Sequence, residues 1–428
     1  MRKVVITILL IVLGCPVWAQ TVREEIMEDR DKAASNYYAY PGPIGGKLTT
    51  APQGKKPFYI SHYGRHGSRF LIHQREYDYP YVTLLKADSL GKLSEKGKEF
   101  LSRVSLLRDE AMDRLGELTP LGAEQHRGIA HRMYQNFPEV FKGKAHVDAK
   151  STVVIRCILS MQNAIEGLME MNPRLVVTQD ASQHDMYYMN LQDRKLFNQK
   201  WTKEAQQRYE AFCKKHENHI DPIDRLFNDT LYSRHQINPY RLNLALFKLA
   251  SSVQGTEAGR HFSLYDLYTD DELYNNWLQV NAFWYIIYGA CPMNGGTQPF
   301  SQRNLLRRII QEADSCIALG HPGATLRFGH ETIVLPLTCL LGLNGFDQQV
   351  EDLEELVGHG WVNYKVFPMA ANIQMVFYRK NQKDKDVLFK VLLNENEATL
   401  PLPTDCAPYY HWADFRDYYL RKLDSYKE

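Results

Sequence analysis

The sequence has no surplus of charge of either sign. Its 51 lysines and arginines nearly balance 50 aspartates and glutamates, so the formal net charge is +1. A protein that binds nucleic acid needs a basic face, and this balance argues against that class of partner. A local basic cluster inside a neutral protein remains compatible with a small polyanionic substrate.

Cysteine is sparse, and its spacing matches no common metal or redox motif. The seven cysteines lie at positions 15, 157, 213, 291, 316, 339 and 406, and none forms a CxxC pair. This spacing argues against a zinc knuckle and against a thioredoxin-type site. Cys157 and Cys339 lie in strongly apolar runs, so we expect both to be buried free thiols.

Long hydrophobic runs are missing outside the first residues. Residues 4–14 form a short apolar run after Arg2 and Lys3, and small residues follow it. This pattern predicts a signal peptide over residues 1–19, cleaved between Ala19 and Gln20, and therefore an exported protein, periplasmic or extracellular. A lipoprotein signal with lipid on Cys15 is the less favoured alternative. No later segment is long and apolar enough to predict a membrane span.

Internal repeats are also absent, and the remaining chain shows strands alternating with helices. Apolar, β-branched runs predict strands at residues 58–63, 152–158, 324–328, 373–378 and 387–393. Helical spacing of apolar residues covers 83–115, and further helices are predicted to begin at Thr119, at Ser160 and near Ile333. We therefore expect an α/β fold, with a mostly parallel sheet flanked by helices.

Residues 180–302 differ from the rest in texture. They are rich in tyrosine, tryptophan, amides and charges, and they show helical spacing at 201–215, 240–253 and 271–288. We interpret them as a mainly helical cap domain inserted into a discontinuous α/β domain of residues 20–179 and 303–428.

The segment Arg65-His66-Gly67-Ser68-Arg69 places a histidine between two arginines directly after the first predicted strand. The two guanidiniums repel each other and depress the pKa of the histidine, and a bound phosphate would reverse both effects. A solvated basic turn is the ordinary explanation for such a triplet.

Two further strands end near polar residues, namely Arg156 and the pair His330-Glu331. Ligands collect at the carboxyl ends of parallel strands, where helix N-termini also favour anions. Three distant segments are therefore predicted to converge on one anion site.

These motifs carry a family resemblance. Residues 65–69 resemble the RHGxR signature of the histidine phosphatase superfamily, and Gly329-His330-Glu331-Thr332 resembles the downstream element of its histidine acid phosphatase branch, which includes phytases. The resemblance to the multiple inositol polyphosphate phosphatases of that branch extends from about residue 38 to residue 410. Two positions depart from the pattern: Leu71 stands where the branch usually has proline, and His330 and Glu331 are adjacent where the inositol polyphosphate group has one residue between them.

The resemblance implies a role for each residue and a phosphomonoesterase acting on inositol polyphosphates such as phytate. His66 would be the nucleophile that forms a phosphohistidine, and Glu331 would be the proton donor. Arg65, Arg69, Arg156 and His330 would bind the phosphoryl oxygens. A neighbouring phosphate dianion would raise the pKa of the carboxyl group and keep it protonated. No metal or other cofactor is expected, because the guanidiniums supply the positive charge.

Alternatives stay open. They are a broad-specificity acid phosphatase acting on sugar phosphates, and a phosphate-ester binding protein without activity. His62 and His66 are four residues apart, but they lie on a predicted strand and turn, so a metal site there is not expected. Some basic residues of the predicted cap have a claim to bind outer phosphates of the substrate: Arg194, Lys195, Lys200, Lys203, Arg234, His235 and Arg241.

Overall fold

The computed structural model describes residues 21–427 apart from positions 192 and 321. The predicted signal peptide and Cys15 therefore lie outside the described residues. Within these residues no helix is both long enough and apolar enough to span a bilayer.

Eight strands form one mixed sheet. They are β1 (Lys56–Arg65), β2 (His146–Ser151), β3 (Val176–Asp180), β4 (Gly323–Gly329), β5 (Asn372–Arg379), β6 (Leu388–Leu393), β7 (Asn396–Ala398) and β8 (Tyr410–His411). The strand order is β3-β2-β4-β1-β5-β6-β7, with β8 paired to β6. Strands β3, β2, β4 and β1 run parallel, whereas β5, β6, β7 and β8 add antiparallel pairs. The predicted α/β class is confirmed, and its sheet is mixed.

The helices begin with α1 over residues 21–28, followed by a 3₁₀ segment at Arg30–Tyr37. The others are α2 (Arg75–Ser89), α3 (Glu95–Glu110), α4 (Pro120–Asn136), α5 (Ile155–Met171), α6 (Met186–Met189), α7 (Arg194–Gln199), α8 (Lys203–Lys215), α9 (Ile220–Asp224), α10 (Thr230–His235), α11 (Pro239–Val253), α12 (Asp270–Tyr288), α13 (Arg303–Leu319), α14 (Glu331–Leu341), α15 (Asn363–Val366) and α16 (Trp412–Ser425).

The second predicted strand is wrong. Residues 152–158 do not form a strand, because β2 ends at Ser151 and helix α5 already begins at Ile155, five residues before Ser160. The strand that forms instead is β2, which alternates buried apolar residues with more exposed polar residues. It therefore has no apolar run by which the sequence could reveal it. Apolar residues at helical spacing on α5 pack against the sheet, and this burial outweighs the β-branched character of residues 153–155.

Residues 83–115 are helical as predicted, but they form parts of two helices. α2 ends at Ser89, and Gly91 then adopts a left-handed conformation with φ +65°. Ser94 caps the next helix by accepting a hydrogen bond from the amide of Gly97. At α4, the predicted Thr119 cap with Pro120 in the first turn is confirmed.

Both faces of the sheet are covered. On β1, Ile60 faces a core formed with α4 and α5, whereas Tyr59 and Tyr63 face a larger core formed with α12, α13 and α14. A third core is formed by helices α2 and α3, which precede β2 in the sequence, together with helices α11 and α12, which follow it. Residues 180–302 are mainly helical, and the proposed domain boundaries stay a prediction.

The sheet register aligns the ends of the parallel strands. Arg65, the last residue of β1, pairs with Gly329, the last residue of β4, and Ser151 at the end of β2 pairs with Phe328. The residues that follow these strands therefore emerge at one edge of the sheet.

Candidate active site

His66 follows β1 without leaving the sheet. Its backbone amide donates to the carbonyl of Gly329 (2.9 Å), and its carbonyl accepts from the amide of Ala370 (2.9 Å). The amide of Arg65 donates to the carbonyl of Ala371 (2.7 Å). The backbone of the predicted nucleophile is thus held by both neighbouring segments.

The loop after His66 is locked against two helices. A side chain at Gly67 would place its Cβ 2.3 Å from the carbonyl oxygen of Gly122 on α4, so only glycine fits there. The amide of Gly67 donates to Oγ of Ser160 on α5 (3.1 Å), and the amide of Ser68 donates to Oε1 of Gln125 (2.9 Å). Gly122 and Ser160 therefore fix the loop geometry.

The imidazole of His66 is fully buried and neutral. Nδ1 lies 2.9 Å from the carbonyl oxygen of Gly67, which can only accept, so Nδ1 carries the proton and Nε2 carries the lone pair. Burial holds the pKa of His66 well below its usual range, and the cations of Arg65 and Arg156 act in the same direction. The lone pair on Nε2 faces Glu331, whose Oε2 lies 3.5 Å away.

Arg65 is fully buried beneath the site. Its Nη1 donates to the carbonyl of Phe367 (2.9 Å) and to that of Asn36, and its Nε lies 3.1 Å from Oε2 of Glu331. Burial lowers the pKa of Arg65 to about 10, although Glu331 opposes that shift. The side chain keeps its orientation through the backbone acceptors, which leaves Nη2 without a hydrogen-bond partner among the described residues.

Arg69 is also buried, and it stacks on an aromatic ring. Its Nη1 donates to the carbonyl of Phe70 (2.9 Å), and its guanidinium lies 5.1 Å from the ring centroid of Tyr37. Its Nε has no hydrogen-bond partner among the described residues. An arginine held in this way keeps N–H groups for an anion.

Arg156 lies in the first turn of α5, not in a strand as predicted. Nη1 is 3.5 Å from the carbonyl oxygen of Gly116, and Nε is buried without a described partner. Burial lowers the pKa of Arg156, and repulsion from Arg69 lowers it further. Arg156 also repels Arg65, so the three guanidiniums form one cluster of cations. The structure therefore brings this arginine to the site by a different element from the one predicted.

His330 directly follows β4 and is the N-cap residue of α14. Its ring lies 5.8 Å from the ring of His66 and within 3.2 Å of Oγ1 of Thr152. Burial lowers the pKa of His330 to about 4, aided by the nearby arginines. Cys157 packs beneath this ring; like Cys339 it is buried and free, as predicted.

Glu331 is the first residue of α14, and its carboxylate ion-pairs with Arg65. Burial alone would raise the pKa of this carboxyl group, but the guanidiniums of Arg65 and Arg69 outweigh burial and hold the pKa well below its usual range. In the free protein Glu331 is therefore ionised. The protonated state predicted from the sequence requires the additional negative charge of a bound phosphate.

The same residues could in principle hold a metal ion. Ligand atoms of His66, His330 and Glu331 lie within 4.8 Å of one another, and a second such group is Asp405, Cys406 and His411. At the first group, three guanidiniums also act on the histidines and on Glu331. Their positive charge favours an anion over a divalent cation.

A cleft of about 580 Å³ opens over Arg69 and Glu331. One part of its wall carries His73, Arg75 and Lys248, and another part is aromatic, with Tyr209, Phe247, Phe283 and Trp284. Sequence analysis missed these residues, because they come from α2, α8, α11 and α12 and share no local pattern. Of the basic residues singled out in the predicted cap, Arg234 pairs with Asp224, Arg241 stacks on Tyr79, and Lys200 lines a pocket next to the site.

Comparison with known families identifies the class of protein. The model of the histidine phosphatase superfamily (branch 2) matches residues 64–394, a span that contains every predicted site residue. The chain belongs to this superfamily branch and is a hydrolase of the histidine acid phosphatase type. No curated protein matches the chain in a sequence comparison.

Solved structures show the same fold at low sequence identity. The multiple inositol polyphosphate phosphatase of Bifidobacterium longum, solved with inositol hexasulfate, is 18% identical with a TM-score of 0.76, over 90% of this chain and 97% of that one. The phytase from D. castellii is 15% identical with a TM-score of 0.65, over 92% and 85% of the two chains. The Hafnia alvei phytase is 13% identical with a TM-score of 0.54, over 87% and 98%.

Proposed function

We propose that this protein is an exported phosphomonoesterase that hydrolyses inositol polyphosphates such as phytate through a phosphohistidine on His66. The observation that carries the proposal is the neutral imidazole of His66, with its lone pair on Nε2, surrounded by buried guanidiniums whose N–H groups have no described partner. A nucleophile must be unprotonated, and an in-line phosphoryl transfer needs positive charge around the equatorial oxygens. Both requirements are met at one place.

The first step transfers the phosphoryl group to the protein. Nε2 of His66 forms a bond to phosphorus while the bond from phosphorus to the alkoxide oxygen breaks. Arg65, Arg69, Arg156 and His330 bind the phosphoryl oxygens. The leaving oxygen takes a proton from Glu331, since an alkoxide leaves poorly at neutral pH.

The second step returns the protein to its starting state. Water attacks phosphorus as the bond to Nε2 breaks, and the carboxylate of Glu331 accepts the proton from that water. Inorganic phosphate then leaves. The protonation states before and after the cycle are the same.

Glu331 must move during this cycle. Its Oε2 lies 3.5 Å from Nε2, and an attacked phosphorus has to come within about 3–3.5 Å of the same nitrogen. The arriving phosphate therefore displaces the carboxylate from Arg65, and the new negative charge raises the pKa of Glu331. We infer that substrate binding itself protonates the acid.

We propose inositol polyphosphate as the substrate because the chain belongs to this superfamily branch and its fold is similar to structures named as an inositol polyphosphate phosphatase and as phytases. A second candidate, a broad-specificity acid phosphatase, is favoured by one observation, the aromatic wall formed by Tyr209, Phe283 and Trp284. Such a wall suits the apolar part of a phosphomonoester as well as an inositol ring. A binding protein without activity is less favoured, because His66 and Glu331 are both present.

The test is a time course of phosphate release from phytate, with the product isomers resolved and a chelator present. We expect release in the wild type and none in His66→Ala, with the two proteins unfolding at similar temperatures. Saturable phytate binding with no release by the wild type would mean a binding protein, and full activity of His66→Ala would remove the phosphohistidine. Rapid release from sugar phosphates with little from phytate would favour the second candidate.

Export is tested separately. In a bacterial host that secretes the full chain, we expect the mature protein to begin at Gln20 and to be recovered without detergent. Recovery in the membrane fraction, lost on Cys15→Ala, would indicate the lipoprotein alternative instead.

A further inference from the structure

A small pocket lies beside the active-site cleft. It has a volume of about 70 Å³ and is lined by residues that include Lys200, Tyr288, Gln298, Gln302 and Thr332. A cavity of about 10–15 Å³ holds one water molecule, so the pocket has room for a polar substituent the size of a phosphate group.

The pocket and the cleft lie next to each other. Thr332 follows Glu331 directly on α14, and Glu331 lines the cleft while Thr332 lines the pocket. Trp284 of the cleft stacks on Tyr288 of the pocket with ring centroids 5.6 Å apart. A ligand in the cleft that carries several substituents therefore lies beside the pocket.

Lys200 supplies this pocket with a cation that has no ion-pair partner among the described residues. Its Nζ lies 3.6 Å from the ring centroid of Tyr288, and burial lowers the pKa of Lys200 to about 8. The carboxylate in the pocket wall, Asp193, pairs with Arg303 at 2.7 Å and with its own helix N-terminus. A half-buried ammonium without a carboxylate partner is costly unless an anion binds there.

Two buried amides add hydrogen-bonding groups. Gln298 and Gln302 are 1% and 2% exposed. Their Nε2 groups donate to the carbonyl of Leu196 and to Oγ of Ser301, while both Oε1 atoms lack a partner among the described residues. Buried amide oxygens of this kind are normally satisfied.

We propose that this pocket is a second substrate subsite, in which Lys200 binds a phosphate group other than the one transferred, and Gln298 and Gln302 accept hydrogen bonds from a protonated oxygen of that phosphate group. The proposal rests on the proposed function in that the substrate carries more than one phosphate. It goes further by assigning the residues that select such a substrate over a simple monoester.

The primary test measures binding, so that it does not depend on turnover. Inositol hexasulfate, a non-hydrolysable polyanion, is titrated into wild type, Lys200→Met, Lys200→Arg and the matched control Lys214→Met, which loses the same charge from an exposed position on α8. A hydrogen bond to a charged group is worth about 1.5–3 kcal/mol, so Lys200→Met should weaken binding about tenfold to a hundredfold. Lys200→Arg should retain most of the affinity, and Lys214→Met should change it less than about twofold.

A second measurement separates this proposal from the function on which it rests. The ratio of kcat/KM for phytate to kcat/KM for p-nitrophenyl phosphate, which has one phosphate, should fall about tenfold or more in Lys200→Met. Equal affinities in Lys200→Met and Lys214→Met, or no binding of the hexasulfate by folded wild type, would overturn the subsite. Wild-type binding that depends on Lys200, without any phosphate release, would support the subsite while refuting the enzymatic proposal.

Discussion

Replacing Glu331 with glutamine should make the protein bind anions more tightly while it turns over substrate more slowly. Oε2 of Glu331 lies 3.1 Å from Nε of Arg65 and 3.5 Å from Nε2 of His66, at the place where a phosphate is proposed to bind. The carboxylate therefore competes with the anion for the same cations. Glu331→Gln removes that competitor but keeps the shape of the side chain.

The size of the effect follows from Coulomb's law. Two unit charges about 4 Å apart, at an effective dielectric constant of about 20, repel by about 4 kcal/mol. At 1.36 kcal/mol per pKa unit, a bound anion should raise the pKa of Glu331 by about three units. In the free protein the pKa of Glu331 lies well below its usual range. At a pH above that value, anion binding is therefore accompanied by uptake of a proton on Glu331.

The assay is calorimetric titration with inositol hexasulfate, which stays fully ionised, from the lowest pH at which both proteins remain folded up to about pH 8. Wild-type affinity should fall by up to about tenfold per pH unit across the interval between the free and bound pKa of Glu331. Glu331→Gln lacks this component and should bind about a thousandfold more tightly above that interval. His66 and His330 also titrate, and the carboxylate of Glu331 raises the pKa of both, so the difference between the two curves reports Glu331 together with its effect on these rings.

Glu166→Gln is the matched control, because Glu166 is exposed on α5 and its replacement makes the same change in net charge. It should follow the wild-type curve. In turnover, Glu331→Gln should lose about a hundredfold or more on phytate and much less on p-nitrophenyl phosphate, whose leaving group needs little protonation. Parallel pH curves for wild type and Glu331→Gln, or weaker binding by the variant at every pH, would refute the reasoning.

Three further predictions follow from the geometry of the site and its support. Gly122→Ala should destabilise the protein by about 3 kcal/mol or more in urea unfolding, because its Cβ would lie 2.3 Å from the carbonyl oxygen of Ser68; wild-type stability would contradict this. Arg156→Met should weaken hexasulfate binding about tenfold without loss of thermal stability, because it removes a cation repelled by its neighbours; a large fall in Tm would contradict that. Burial lowers the pKa of His62 and of His126 to about 3, so between pH 6.5 and pH 5 each should reduce the free energy of unfolding by about 2 kcal/mol. The unfolded chain binds more protons below pH 6.5, so this stability is lost as pH falls, and equal urea midpoints at pH 7 and pH 5 would be the contrary result.

The part of the site that sequence could predict lies on continuous strands followed by motifs. β1 and β4 are buried along almost their whole length and carry enough apolar residues to be recognised as strands, so their ends, and with them His66 and His330, could be located from the sequence. The parallel register then brings these ends together. The predicted convergence of these segments holds because residues that follow the ends of parallel strands lie at the same edge of the sheet.

Arg156 shows where the same reasoning fails. A run of β-branched residues predicts a strand, but the free energy of burying one face of α5 against the sheet favours a helix. The cleft residues such as Lys248 and Phe283 have no signal at all, because their place depends on how distant helices pack. Local patterns identify elements, whereas the wall of a cleft is a property of tertiary packing.

The attachment of His66 to both neighbours in the sheet has a consequence for how this protein can adapt. With its amide and carbonyl both bonded to adjacent segments, the imidazole cannot be carried toward a poorly placed substrate by a loop movement. Each substrate must therefore bring its phosphate group to Nε2 of His66, which stays in one place. Differences in reactivity among the phosphate positions of a substrate then arise from how the cleft residues orient the substrate ring.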